Sequence, residues 1–252
     1  QLPILTLLFL GIIAKTPYLH GELNKFIKST YQYYNPPKSI IPYEKPKKEY
    51  PFIRETAENE NSPNKTQRPH IFIIFVESFN ANFVESKAPN GKEYTPFFNS
   101  LIERGVYFEN FYGNSIQTSK GQFASFCSLL PLIREKVFTD HHKKNFQCLP
   151  ELLKRHNYTT VFTKAFSDIS FDNTKAFTER NGFEHIFGMD GRFISKKERQ
   201  KYYWGWGIQD NIYYKKVFNH LDKIHKKEPE SPFLVSFTTI SNHMKFEQTP
   251  KD

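Results

Sequence analysis

Three polar residues stand where apolar runs stop, and their types suggest one chemistry. Glu77 closes "IFIIFVES", Thr118 lies in the loop "GNSIQTSKGQF", and His243 ends "TTISNH". A carboxylate and a threonine oxygen both ligate hard divalent cations. A threonine hydroxyl is a weak nucleophile at its free pKa, and metal coordination activates it. A histidine beside it would donate a hydrogen bond to an anionic phosphoryl oxygen and stabilise developing charge. Each residue also has a plain structural reading. Thr118 and Ser119 precede a helix-like run, Phe123 to Leu130, that ends at Pro131, so either serves as an N-cap. Glu77 reads equally as an exposed loop carboxylate, and His243 as a structural histidine. Glu77 and Thr118 alone are too few for a tight metal site, so further ligands must come from elsewhere.

The surrounding elements predict a fold that would bring these residues together. The globular domain starts at about His70. "IFIIFVES" is a β-branched, continuously apolar run, as in a parallel strand buried on both faces. "TPFFNSLIERG" reads as a helix with Thr95 as N-cap, Pro96 at its first turn and Gly105 beyond its end. "VYFENFYG" reads as the next strand. "LPELLKRHN" is a short helix stopped by Asn157. "YTTVFTKAF" is a strand, "TKAFTERNG" a helix stopped by Gly182, and "IQDNIYYKKVFNHLDKIHKK" a helix with Asp210 near its start. "PFLVSFTTISNH" is a strand that runs into a polar tip. Strands alternating with helices imply βαβ units and a largely parallel sheet. In such sheets ligands bind at the carboxyl ends of the strands, where Glu77, Thr118 and His243 fall.

Composition narrows the partners. The chain has 252 residues, 38% hydrophobic and 17% aromatic with 26 Phe, enough for one large core and additional segments. Its net charge of +9 favours anionic partners. The lysines are spread along the chain, and no nucleic-acid-binding signature is present. Phosphate esters and anionic lipids therefore fit better than nucleic acid. The two cysteines, Cys127 and Cys148, have no zinc-site spacing. Buried free thiols are the expected state, with a disulfide if the domain is exported.

The segments ahead of the domain point to a membrane. "QLPILTLLFLGIIA" is apolar over 14 residues, short of the roughly 20 that span a bilayer. It lacks the features of a signal peptide and reads as the tail of a transmembrane helix that begins upstream. Residues 15–34 mix aromatic and basic character, suited to a membrane interface. The expected organisation is a membrane-helix end with a membrane-proximal helix over 1–34, an extended Pro- and Lys-rich linker over 35–69, and a catalytic domain from 70 to 252.

Residues 70–252 resemble the lipoteichoic acid synthase branch of the alkaline phosphatase/sulfatase superfamily. The resemblance is carried by "IFIIFVESF", "KEYTPFFNSLIERGVYFENFY", "QTSKGQFASFCSLLP" and "PFLVSFTTISNHMKF", in family order. It implies an α/β, alkaline phosphatase-like three-layer α/β/α sandwich with a largely parallel central sheet, incomplete at the C-terminus. It implies Thr118 as catalytic nucleophile, Glu77 and Thr118 as metal ligands, and His243 as a ligand of the substrate phosphate. The implied cofactor is one divalent ion, commonly manganese, with magnesium or zinc as alternatives. The implied reaction moves a phospholipid head group of the phosphoglycerol type, through a threonine-linked intermediate, to a cell-envelope glycan or lipid acceptor. The domain would lie outside the cytoplasm, tethered by membrane helices, with no nucleic-acid partner.

The sequence departs from that pattern in places. Lys120 stands where the family often has an acidic residue. The family's Trp-Asn-Arg stretch falls near "FDNT", Phe171 to Thr174, which has neither Trp nor Arg. Lys164 or Lys120 would then supply the positive charge for substrate binding, and the head group is left open. The chain ends at Asp252, ahead of the family's Asp-His metal pair, so these 252 residues alone are expected to bind metal weakly and to show no turnover. The C/S-x-P-x-R motif of true sulfatases is absent. A phosphoethanolamine transferase, a phosphoester or sulfate-ester hydrolase of the same fold, and a non-catalytic head-group-binding member stand as alternatives.

Overall fold

The computed structural model describes residues 68–244, with four exposed helical positions nearer the start, Ile27, Thr30, Tyr31 and Tyr34. The chain divides into two units, Gln1–Lys65 and Thr66–Asp252. Apart from those four positions, Arg68 and Pro69, the membrane-helix end over 1–34 and the linker over 35–69 lie outside the described residues. No helix among the described residues is long and apolar enough to cross a membrane.

In chain order the second unit runs β1 (Ile71–Phe75), α1 (Pro96–Ile102), α2 (Thr118–Cys127), α3 (Val137–Asp140), α4 (Leu149–Arg155), β2 (Thr159–Lys164), α5 (Thr174–Arg180) and β3 (His185–Gly188). It continues with α6 (Lys196–Tyr202), a small β4–β5 hairpin (Tyr203–Trp204 and Gly207–Ile208), α7 (Asp210–His225) and β6 (Phe233–Thr238). The four main strands form one sheet in the order β1-β6-β2-β3, and every pairing in it is parallel. Strand–helix alternation thus folds as the apolar pattern predicts.

Two cores lie on opposite faces of this sheet, because successive strand side chains point to opposite sides. Val161, Val235 and Phe237 pack beneath α7, which buries Tyr213, Val217, Leu221 and Ile224. Phe162 and Leu234 face the other way, against Phe123 and Phe126 of α2, Phe138 of α3 and Phe177 of α5. This is the three-layer α/β/α arrangement. Edge-to-face rings fill the second core: Phe126 lies 5.1 Å from Phe183 and 6.2 Å from Phe162, geometries favoured by the ring quadrupole.

Several expectations need correction. "VYFENFYG" forms no strand. Val106, Phe108, Phe111 and Tyr112 are exposed, at 68–84%, and no described strand edge pairs with them. A β-prone run becomes a strand only when a neighbour satisfies its backbone. β1 is not buried on both faces among the described residues: Phe72 and Ile74 are 47% and 51% exposed. Thr95 sits at the N-cap of α1 but makes no cap bond. Its hydroxyl instead donates to the Phe83 carbonyl or to Asn99 Oδ1. β3, α6 and the hairpin were not read from the sequence. The cysteines are paired rather than free: a disulfide joins Cys127 to Cys148, tying the end of α2 to the start of α4. The two cysteines, at 6% and 0% exposure, were brought together by helix packing that the sequence does not display.

Candidate active site

Because β1, β6 and β2 are parallel and in register, their carboxyl ends form one rim. Phe75 pairs with Thr238, and Thr238 pairs with Lys164. Glu77 follows β1 by two residues, and the chain turns sharply at Ser78, which holds a left-handed φ of 50°. The Glu77 N–H donates to Thr239 Oγ1 at 2.9 Å, and the Thr239 N–H donates to the Phe75 carbonyl at 3.1 Å. The ends of β1 and β6 are thereby stapled together, and Glu77 is fixed at the rim.

α2 begins at the same rim. Thr118 is its first residue, and Gln117 holds the N-cap position. The N-cap reading of Thr118 is therefore wrong by one position, and its hydroxyl is free for another partner. Thr118 Oγ1 donates to Glu77 Oε2 at 3.1 Å, and Ser78 Oγ donates to Glu77 Oε1 at 3.1 Å. Ser119, the other cap candidate, is buried and donates to Asp172 Oδ2 at 2.6 Å. Gln122, one turn on, donates from Nε2 to Thr238 Oγ1 at 2.9 Å. That buried bond anchors α2 to the tip of β6.

These groups line a cleft of about 340 Å³ shared by Glu77, Thr118, Lys136, Lys164, Phe166, Phe171, Asp172, Trp206 and His243. Lys164 ends β2 at 7% exposure, with its Nζ 5.3 Å from the Phe166 ring centroid and 5.8 Å from that of Phe171. Burial pushes its ammonium down to about 8, while the charges of Asp168 and Asp172 pull it partly back up. Lys136 pairs with Asp172 at 2.8 Å. Asp172 and Asn173 both hold left-handed φ values, 56° and 57°. Asp172 is held there by Lys136 and Ser119, and Asn173 by the hydrogen bond that its Nδ2 donates to the Phe138 carbonyl at 2.9 Å. Strained non-glycine backbone of this kind persists only where its surroundings over-determine it, and it gathers at functional sites.

The structure thus brings Glu77, Thr118, Lys164 and His243 to one cleft, and it separates Lys120 from them. Lys120 is buried, its Nζ donates to the Ile133 carbonyl at 2.8 Å, and it is not among the residues lining the cleft. Lys120 follows Thr118 by two residues, about half a turn of helix at 3.6 residues per turn, so the two side chains leave opposite sides of α2 and closeness in sequence did not translate into a shared site.

Other lining residues were missed. Trp206 lies beside "FDNT", its ring centroid 6.2 Å from that of Phe171 and 5.3 Å from that of His243. The signal was the pair of glycines in "WGWG". Gly205 turns the hairpin at φ 52°. At Gly207 an added Cβ would lie 2.5 Å from the Ala165 carbonyl oxygen. Only glycine allows the hairpin to press against the end of β2, where the Ile208 N–H donates to Ala165 O at 3.1 Å. Lys136 and Asp172 carried no comparable mark in the sequence.

A carboxylate and a hydroxyl oxygen 3.1 Å apart are a hard-oxygen pair, suited to magnesium or manganese more than to soft metals. No group of three or more His, Cys, Asp and Glu able to hold a metal occurs among the described residues.

A parallel sheet with helices on both faces, and a hydroxyl and a carboxylate meeting at its carboxyl rim, define an alkaline phosphatase-like domain. The chain belongs to the sulfatase family, whose model matches residues 69–252. Among curated relatives, it is 31% identical over 188 residues to the lipoteichoic acid synthase-like YvgJ of Bacillus subtilis (strain 168), covering 73% of this chain and 28% of that protein. It is 30% identical over 207 residues to the lipoteichoic acid synthase of Staphylococcus aureus (strain USA300), covering 79% and 30%. The crystal structure of the lipoteichoic acid synthase LtaP from Listeria monocytogenes shares the fold with a TM-score of 0.64 at 23% identity, covering 72% of this chain and 42% of that one. An alkaline phosphatase superfamily protein from Vibrio parahaemolyticus matches with a TM-score of 0.60 at 26% identity, covering 75% and 44%. The chain spans less than a third of the length of these curated relatives.

Proposed function

We propose that this domain belongs to a metal-dependent phosphotransferase that moves a phosphoglycerol head group from an anionic phospholipid to a cell-envelope glycan or lipid acceptor. The observation that carries this reading is the Thr118 hydroxyl, held 3.1 Å from the Glu77 carboxylate in a cleft that Lys164 and His243 also line. The family membership and the names of the relatives support it.

In this reading Thr118 Oγ1 is the nucleophile. It bonds to phosphorus as the bond from phosphorus to the diacylglycerol oxygen breaks, and that oxygen takes up a proton. An acceptor hydroxyl then displaces Thr118 and restores its hydroxyl. Glu77 and Thr118 would hold one divalent ion, with manganese proposed ahead of magnesium and zinc. Bound there, the cation would lower the hydroxyl's pKa and neutralise phosphoryl charge. Lys164 and His243 supply positive charge and a hydrogen bond to the phosphoryl oxygens. Lys120, tied to Ile133, has no part in it.

The charges around the cleft favour a neutral polyol over an amine head group. Phe166 and Phe171 already carry the Lys164 ammonium over their rings, which leaves that aromatic wall repulsive to a second cation. Asp172 is already engaged by Lys136 and Ser119. This ranks phosphoglycerol above phosphoethanolamine. The disulfide fits an oxidising compartment and supports a site outside the cytoplasm.

The test is intact-mass spectrometry of the full-length protein after incubation with manganese and phospholipids of several head groups. The expected result is a phosphoglycerol adduct that disappears in Thr118→Ala. Manganese binding without any adduct would reject the threonine-linked intermediate. Neither adduct nor metal binding would favour a non-catalytic head-group-binding protein.

A further inference from the structure

Beyond Thr118 the chain must turn back after β6 to bring His243 into the cleft, and this turn has backbone donors that no strand satisfies. β6 ends at Thr238. The turn closes on itself with the His243 N–H donating to the Ile240 carbonyl at 2.9 Å, which leaves the N–H groups of Ile240 and Ser241 to find other partners. Both go to one side chain: Ile240 N–H donates to Asp210 Oδ1 at 2.8 Å, and Ser241 N–H to Asp210 Oδ2 at 3.1 Å. The connection is returned, since the Asp210 N–H donates to Ser241 Oγ at 3.0 Å.

We infer that Asp210 is a positioning residue for His243, acting through the Ile240–His243 turn. This rests on the cleft being the functional site. Three features carry it. Asp210 is the first residue of α7, whose buried stripe of Tyr213, Val217 and Leu221 is locked into the sheet's core, so the turn is referenced to a rigid element. The two bonds use both carboxylate oxygens, one for each of two consecutive N–H groups, which is a fork that only an ionised carboxylate supplies in full. Finally, the ring they orient has a defined setting, with Nδ1 2.8 Å from the Met244 carbonyl and its face 5.3 Å from Trp206. Burial raises the Asp210 carboxyl's pKa, and the bonds from Ile240 and Ser241 oppose that rise. The carboxylate is thus kept in a partly dry place where the Ile240 and Ser241 N–H groups and the Ser241 side chain compensate it.

The conservative variant separates positioning from mere packing. Asp210→Asn keeps the shape but turns an NH2 group toward one of the two N–H donors, so one bond of the fork must break. The experiment records the ring resonances of the full chain labelled in histidine and tryptophan, assigned with His243→Gln and Trp206→Phe. It is paired with thermal unfolding and with titration of glycerol phosphate, with inorganic phosphate as a second probe. In Asp210→Asn the His243 ring and Trp206 indole signals should move, while those of His141 and His156 stay. The affinity for glycerol phosphate should fall about tenfold, and in a His243→Ala background Asp210→Asn should lower it no further. Unmoved His243 and Trp206 signals in a folded Asp210→Asn protein overturn the inference. Should that variant fail to fold, Ser241→Ala decides in its place: it removes the acceptor of the Asp210 N–H, and it should move the same two signals by a smaller amount, with no movement again the refuting result. A wild-type protein that binds neither probe counts against the proposed function, while the resonances still judge the positioning role.

Discussion

Lys164 should destabilise the fold it sits in, and the structure sets the size of that effect. The residue is 7% exposed, and burial takes its pKa from 10.5 to about 8. At about 1.4 kcal/mol per pH unit, burying the charge costs about 3 kcal/mol at neutral pH. Below pH 8 both folded and unfolded chains hold the proton, so the full penalty applies. Between pH 8 and 10.5 the unfolded chain binds the proton that the folded one has released, so the penalty disappears as pH rises. Lys164→Met keeps the stem over Phe166 and Phe171 and removes the charge. It should therefore raise stability by about 3 kcal/mol at pH 7, which is about 1.5 M in the urea midpoint for a domain with a slope near 2 kcal/mol/M. The gap between the two proteins should narrow above pH 8 and close by about pH 10.5. Urea unfolding of both proteins at half-unit steps from pH 7 to 10.5 measures it. A gap that does not change with pH, or a Met variant less stable at pH 7, refutes the reasoning. A buried charge that weakens the fold is what a site pre-formed for an anion requires, so the same variant should lose affinity for glycerol phosphate.

Three further outcomes follow from the same geometry. Reducing the Cys127–Cys148 disulfide, which spans 21 residues, should cost about 3 kcal/mol by the loop-entropy argument; urea unfolding with and without reductant checks it, and an unchanged midpoint would reject it. Gly207→Ala should destabilise by about 1–3 kcal/mol, because its Cβ meets the Ala165 carbonyl and the Phe166 Cα, backbone atoms that cannot swing aside; loss of Trp206 fluorescence change on glycerol phosphate binding should accompany it. Glu77→Gln, which keeps an oxygen for the Thr118 hydroxyl but removes the carboxylate's charge, should weaken manganese binding at least tenfold in calorimetric titration and leave the thermal midpoint within about 1 °C, since the side chain lies at an exposed rim.

Much of this was legible in the residues themselves. The apolar runs of β1, β2 and β6 and the long periodic stripe of α7 are local patterns, and local patterns decide element type. Strand–helix alternation then dictates a parallel sheet, and a parallel sheet collects the tips of its strands at one rim. Glu77, Lys164 and His243 are brought near a common cleft for that reason, each lying at or shortly after the end of a readable strand. The tertiary structure decided what depends on distance rather than on pattern. Strand propensity in "VYFENFYG" came to nothing because the run docks on neither edge of the described sheet, β1 or β3, and so joins no ladder. Lys120 and Lys164 look alike in sequence, yet one is turned away to a carbonyl and the other is buried under two phenylalanines. Trp206 reached Phe171 from 35 positions along the chain because two glycines let a hairpin press against β2. Cys127 met Cys148, and Asp210 met the turn before His243, only because helices on a common sheet were packed that closely. Sequence records which elements form; which side chains end up within hydrogen-bonding reach depends on how those elements are packed in three dimensions, and no single stretch of chain encodes that.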